Sequence, residues 1–314
     1  MALSFLSRKA RVVTLTIEED AIRHVDIKSA SPLQLNCAEE MDLPPGIIED
    51  GKIVDSDALE SILDKAVDQW GLSKKSVRFL APDEFVIIRK VHYPEDVEAD
   101  ELKGHFFIEI GSTLYLPFED PVFDVVPYES DAETGEPEAI IIASKESVIS
   151  DYERVFDRVK LDPVVADITP LALYRLGFLQ QDFQKDEHIM LIDLQSTKMT
   201  VSIFHEHYPL FMRPVEFDAF GGMPMDETAI MDTVETESEK LANFYRYNMN
   251  GGEAGITHIV CNGEFEDWFS FQSRLEARFA VPVTPLVIEP IPSDDVKSVP
   301  VRFNRAIGLA LKEV

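Results

Sequence analysis

The chain has 314 residues, 45% of them hydrophobic and 28% charged, which excludes disordered and fibrous classes and leaves room for two lobes of about 150 residues each. Its 58 acidic residues against 29 basic ones give a formal charge of -29, which repels phosphate backbones and argues against nucleic acid as a partner. Two cysteines, Cys37 and Cys261, offer no zinc spacing and are expected as buried thiols in a reducing compartment. No run of eighteen apolar residues predicts a membrane span. At the start, apolar Leu3, Phe5 and Leu6 precede Arg8 and Lys9, the reverse of a signal peptide's charge order. Membrane association is therefore expected only through a partner or a weak N-terminal contact.

In chain order, the apolar residues of 11–29 predict two strands around the turn Glu18-Glu19-Asp20. An amphipathic helix follows over 57–70, with Asp57 as a plausible cap and Gly71 as its stop. Strands are expected at 77–80 and 85–91, a helix near 100–110, and short strands at 122–127 and 139–143, together a small α+β insertion. A helix over 146–159, a strand at 164–168 and a helix opened by Pro170 complete the first half. The second half restarts the same grammar. Strands are predicted at 188–193, 199–204 and 209–214, a helix at 235–247, a strand at 256–261, a helix at 268–279 and a final helix at 303–311. In that last helix Ala306, Gly308 and Ala310 are small enough for close packing. Two strand-rich halves with interleaved helices predict an α/β protein built by duplication.

Several segments resemble the PilM family of the actin-like superfamily. They are Ser7-Arg8-Lys9, the run from Leu43-Pro44-Pro45-Gly46 to Ile53-Val54-Asp55, the run from Ile87-Ile88-Arg89 to Tyr93-Pro94, Tyr115-Leu116-Pro117-Phe118, the run from Pro163 to Leu173, and Ala306-Ile307-Gly308-Leu309-Ala310-Leu311. They occur in the family's order and span essentially the whole chain. The resemblance implies a two-lobed actin-like fold of the duplicated ribonuclease H kind, with the lobes facing a central cleft. It implies an N-terminal lobe (subdomain 1A) from 1–76 and 144–183, an inserted 1C-like subdomain at 77–143 as in the related division protein FtsA, and a C-terminal lobe from 184–314, with 2B at roughly 215–255. It also implies binding of the short cytoplasmic tail of the inner-membrane protein PilN.

An actin-like site holds phosphates with two hairpins whose glycines let backbone N–H groups approach the ligand. The family's first hairpin reads approximately Gly-Ile-Asp-Ile-Gly; the matching positions here are Thr14-Leu15-Thr16-Ile17-Glu18. Both glycines and the aspartate are lost. Glu18 would set a carboxylate beside phosphate, a repulsion of about 4 kcal/mol at about 4 Å and an effective dielectric near ~20, or roughly a thousandfold in affinity. In the second hairpin Asp-Ile-Gly becomes Asp193-Leu194-Gln195, with Ser196, Thr197 and Thr200 keeping a hydroxyl-rich pattern. The adenosine-side Gly-Gly becomes Asn262-Gly263-Glu264. The degenerate site would comprise Asp193, Gln195, Thr197 and Gly263. Asp193 with Thr197 could still hold magnesium and ATP in an unorthodox pose, but the expectation is no cofactor, no metal and no catalytic residue; Asp193 is read as a turn residue capping backbone N–H groups.

His205-Glu206-His207 has the alternation of a metal pair, yet its place at a hairpin tip favours a solvated turn. Glu235, Glu237 and Glu239 with Lys240 read as a solvated helix face. The resemblance places the PilN tail between the N-terminal lobe's two subdomains, against Ile87, Arg89, Tyr115, Leu116 and Phe118, all of which are equally readable as core. The acidity predicts a basic tail. The resulting expectation is a pseudo-ATPase adaptor, cytoplasmic and peripheral at the inner face of the cytoplasmic membrane, that joins a PilN-like protein to motor and platform proteins of a type IV pilus or competence pseudopilus. An active actin-like ATPase gating assembly is the alternative, and a cytoskeletal polymer is a further one, opposed by self-repulsion at -29.

Overall fold

The computed structural model describes residues 12–129, 137–217, 226–265 and 267–313. Ser7-Arg8-Lys9, the expected N-terminal membrane contact and part of the expected 2B region lie outside them. The chain opens with a meander of strands β1 (Val13–Ile17), β2 (Ala21–Ala30) and β3 (Leu33–Asp42), then the small hairpin β4 (Ile48–Glu49) and β5 (Lys52–Ile53). Helix α1 (Ser56–Trp70) is capped by Asp55, whose Oδ1 accepts from the Ala58 amide at 2.9 Å, rather than by Asp57. Strands β6 (Ser76–Leu80) and β7 (Val86–His92), helix α2 (Leu102–Glu109), strands β8 (Pro121–Tyr128) and β9 (Glu138–Lys145), helix α3 (Glu146–Arg158), strand β10 (Asp162–Asp167) and helix α4 (Thr169–Gln181) follow. Then come β11 (His188–Leu194), β12 (Lys198–His205), β13 (Tyr208–Glu216), α5 (Glu227–Phe244) with a π-helical turn at Tyr245–Met249, β14 (His258–Asn262), α6 (Trp268–Phe279), β15 (Val283–Pro285) and α7 (Asn304–Ala310).

These elements form two compact units, one from residues 12–82, 147–172 and 290–313, the other from 83–146 and 173–289. The first holds a five-stranded sheet ordered β10-β6-β1-β2-β3, in which β1, β2 and β3 are antiparallel neighbours while β6 and β10 run parallel to β1. The second holds a sheet ordered β13-β12-β11-β14-β15, again three antiparallel strands followed by two parallel ones. Matching β11 to β1, β12 to β2, β13 to β3, β14 to β6 and β15 to β10 superimposes the two orders, so the chain is a duplication. Strand β6 lies inside the first sheet, and the opening segment of the first unit runs to Pro82, whereas the expected inserted region began at Val77.

In the first unit Phe79 on β6 stacks on Tyr152 of α3 at 6.3 Å and meets Phe156 at a tilt at 5.2 Å between ring centroids, and Leu15, Leu59, Leu63 and Ile307 are buried in the same unit. Helix α7 is tied down at its C-terminal end by Arg78, which donates to the carbonyls of Ala310, at 3.2 Å, and Lys312. In the second unit the antiparallel sheet β7-β9-β8 carries α2 on one face: Leu102 and Phe106 pack on Phe123, Ala139, Ile141 and Ala143. On the other face Tyr128 meets Tyr208 of β13 edge-on at 5.1 Å.

The small residues of α7 serve the close packing expected of them. A Cβ at Gly308 would come within 2.0 Å of the Ala172 carbonyl oxygen and 2.4 Å of its carbon, both backbone atoms of α4. Gly308→Ala must force the two helices apart, and it is expected to cost about 2–3 kcal/mol, read as a lowered urea midpoint with an unchanged slope.

Candidate functional site

The turn at Glu18-Glu19-Asp20 joins β1 to β2, and the Glu18 amide donates to the Ala21 carbonyl at 3.0 Å. Thr14 and Thr16 are buried on β1, with Thr16 in register with Arg23 of β2. The Arg23 side chain is 3% exposed and its guanidinium meets three carboxylates: Glu18 at 3.1 Å, Asp20 at 2.5 Å and Glu40 of β3 at 2.6 Å. From α7, Arg305 donates to the other Glu18 oxygen at 3.0 Å, and the Thr16 hydroxyl donates to Glu18 Oε1 at 3.2 Å. Arg302 reaches Glu40 at 3.0 Å. Burial alone would lower the pKa of Arg23; the charges of Glu18 and Asp20, with the hydrogen bonds to Asp20 and Glu40, outweigh it and hold the guanidinium above its ordinary value. Burial would raise Asp20 in turn, and its pairing with Arg23 brings the carboxyl below the usual range.

This geometry changes the electrostatics expected of Glu18. Its charge is met by two arginines, so a bare like-charge repulsion overstates what an approaching anion would feel. The guanidiniums, groups able to pair fork-to-fork with an anion, are engaged by carboxylates of the same chain.

In the second unit Asp193 sits in β11, in register with Thr200 on β12 and Asn262 on β14. It is buried and accepts a hydrogen bond from the Asn262 amide at 2.8 Å. The turn closes with the Gln195 amide on the Lys198 carbonyl at 2.8 Å, leaving Ser196 and Thr197 exposed at its tip. Thr200 Oγ1 donates to Asp83 at 2.9 Å, and the Lys198 ammonium pairs with Glu84, both side chains largely buried. The hairpin's cation and hydroxyl therefore face acids of the same unit. Gly263 has a φ of 147°, and a Cβ there would stand 2.9 Å from the Cβ and the carbonyl oxygen of Leu194. Its glycine is required by the close approach of the chain after β14 to the end of β11. Asp193, Gln195, Thr197 and Gly263 thus gather around one sheet end.

Sequence reading had no place for Arg23, Arg305, Lys198, Asp83 or Glu84. The available signal was a lone arginine between Ile22 and Val25 on an apolar strand, and another in the small-residue run of α7.

The five residues expected to meet a partner peptide also come together. Arg89 of β7 donates to the Tyr115 carbonyl at 2.7 Å, Ile87 shares its face of the strand by alternation, and Leu116 and Phe118 pack against the core beneath α2. Tyr115 itself is 68% exposed. The tip His205-Glu206-His207 is a tight turn with positive φ at Glu206 and His207, but Glu206 is buried, so the turn is less solvated than expected. Its two rings go to different partners: His205 stacks on His188 at 3.8 Å between centroids, and His207 Nδ1 lies 2.9 Å from the Tyr174 hydroxyl. The glutamates of α5 are not simply solvated either. Arg274 of α6 pairs with Glu235 at 2.6 Å and Asp232 at 2.7 Å, and Arg278 pairs with Glu239. Cys261 is buried, while Cys37 is only half-buried.

The sequence model of a family described as type IV pilus assembly protein PilM matches residues 15–249, well over half of the chain. No curated protein matches it. Among solved structures, one described as a PilM-PilN type IV pilus biogenesis complex is similar with a TM-score of 0.72 at 19% identity, covering 96% of this chain and 97% of that one. Weaker likenesses are the cytoplasmic domain of EpsL, an inner membrane component of the type II secretion system of Vibrio cholerae, with a TM-score of 0.48, 12% identity and coverage of 96% and 94%, and a Bacteroides thetaiotaomicron protein with an actin-like ATPase fold, with a TM-score of 0.47, 11% identity and coverage of 99% and 100%. From the family match and the fold shared along nearly its whole length, the chain belongs to the PilM family of type IV pilus assembly proteins and has the family's actin-like α/β fold.

Proposed function

We propose that the chain is a non-catalytic adaptor of type IV pilus or competence pseudopilus assembly, holding the cytoplasmic tail of a PilN-like membrane protein. The family and the name of the matched complex support the pilus role and the PilN-like partner. The loss of nucleotide turnover is supported by one observation, the engagement of Glu18 by Arg23 and Arg305 at the end of the first hairpin. The pairing of Lys198 and Thr200 with Glu84 and Asp83 repeats the theme in the second. Among the described residues no helix is long and apolar enough to cross a membrane; in this reading the protein works on the cytoplasmic side and reaches the inner membrane by holding its partner, which it connects to motor and platform proteins.

Calorimetric titration with ATP and magnesium tests the non-catalytic half of the proposal. No saturable heat is expected up to millimolar nucleotide, whereas micromolar binding would favour the active ATPase.

The tail-binding half rests on the surface around Arg89 and Tyr115. Leu116 and Phe118 support the local core, so their substitution would confuse folding with binding. Tyr115 is the cleaner probe. Tyr115→Ala is expected to weaken binding of the cognate tail about tenfold, in the range of an exposed aromatic anchor, with an unchanged thermal midpoint. Unchanged affinity would remove Tyr115 from the interface, and a tail affinity insensitive to salt would remove the electrostatic component.

A further inference from the structure

Helix α2 has a second face. Leu102 and Phe106 are buried against the β7-β9-β8 sheet, but the next two residues, Phe107 and Ile108, are each 75% exposed, and among the described residues nothing covers them. Adjacent large apolar side chains this open on an ordered helix cost solvation without contributing to the core. Gly104 lies three and four positions earlier, on the same helical face. A Cβ built there would meet no atom within 4 Å, so no packing inside the chain calls for glycine, although glycine weakens a helix interior relative to alanine. The result is a bare-backbone notch beside two apolar knobs, a shape that admits a partner's side chain.

The surrounding charge selects the occupant. Between Pro94 and Tyr128 there are nine acidic residues and a single lysine, Lys103. Glu95, Asp96, Glu98, Asp100 and Glu101 are all exposed and lead directly into α2, and Val97 packs onto the core under the helix, which keeps that acidic segment close to it. Lys103 is itself paired with Asp124 at 3.6 Å. Such a field repels anionic lipid, and at -29 overall the chain repels a second copy of itself. A positively charged protein segment with apolar side chains on one face complements both the charge and the apolar knobs.

We propose that the outer face of α2, built from Gly104, Phe107 and Ile108, is a docking site for a basic amphipathic segment of a partner protein. The site does not depend on the surface around Arg89 and Tyr115 and stands or falls separately from it. The test uses the full chain and two labelled eighteen-residue helical peptides of equal positive charge, one with leucines along one face among lysines and the other with serines in place of the leucines. Fluorescence anisotropy at low and at physiological salt should show wild type binding the leucine peptide at least tenfold more tightly than the serine peptide. That preference should be lost in the double variant Phe107→Ser with Ile108→Ser and kept in Tyr115→Ala and in Phe269→Ser, which removes another exposed aromatic in the same unit. Because both α2 residues are exposed, the double variant should melt at the wild-type temperature. The proposal is overturned if the double variant keeps the preference, if Phe269→Ser loses it equally, or if wild type instead sediments with phosphatidylglycerol vesicles in a manner that the double variant abolishes.

Discussion

A guanidinium taken out of water has to be met by carboxylates, and Arg23 is such a group. Its side chain is almost wholly buried in the first sheet, and leaving it unpaired would cost several kcal/mol. Glu18, Asp20 and Glu40 supply the compensation, and Arg305 and Arg302 then balance Glu18 and Glu40 from the C-terminal segment. One connected set of charges joins the first turn, β3 and the end of the chain. The Glu18 carboxylate at the first turn is needed to keep this set neutral. Exchanging Glu18 for a glycine would therefore strip two arginines of a partner and lower the stability of the unit.

The duplication lets the second hairpin be compared with the first on equal terms. Both sheets have the same strand order, and at the first hairpin of each, polar side chains are engaged within the same unit: Glu18 at the turn of the first, Lys198 and Thr200 on the second strand of the other. In the first the engaged group is an acid met by arginines. In the second, a lysine and a threonine are met by acids. The duplicated hairpins thus engage their polar groups by two different chemical arrangements on a shared strand order.

Much of the architecture was legible because apolar periodicity is a local signal. The opening strands, the amphipathic helix before Gly71 and the restart at His188 all follow from it. Strand β3 was not read, since it is an edge strand whose second half carries Glu39, Glu40 and Asp42, the kind of charge that protects sheet edges. The first two turns of α5 were missed although Ile230, Met231 and Val234 carry the helical spacing. At the site, the missing glycines could be read residue by residue. The compensating pairs could not: Arg305 lies 287 positions from Glu18, and Lys198 lies 114 from Glu84. Only the fold brings such residues together, and their presence replaces the picture of a bare carboxylate at the first turn with one of a paired carboxylate.

The most direct test is a crystal structure of the full chain grown with magnesium and a non-hydrolysable ATP analogue. The ion-pair account predicts Glu18 still held between Arg23 and Arg305, with no triphosphate density on the hairpin. Phosphates seated on the backbone of Thr14 to Glu18, with the Glu18 side chain displaced from both arginines, would contradict it.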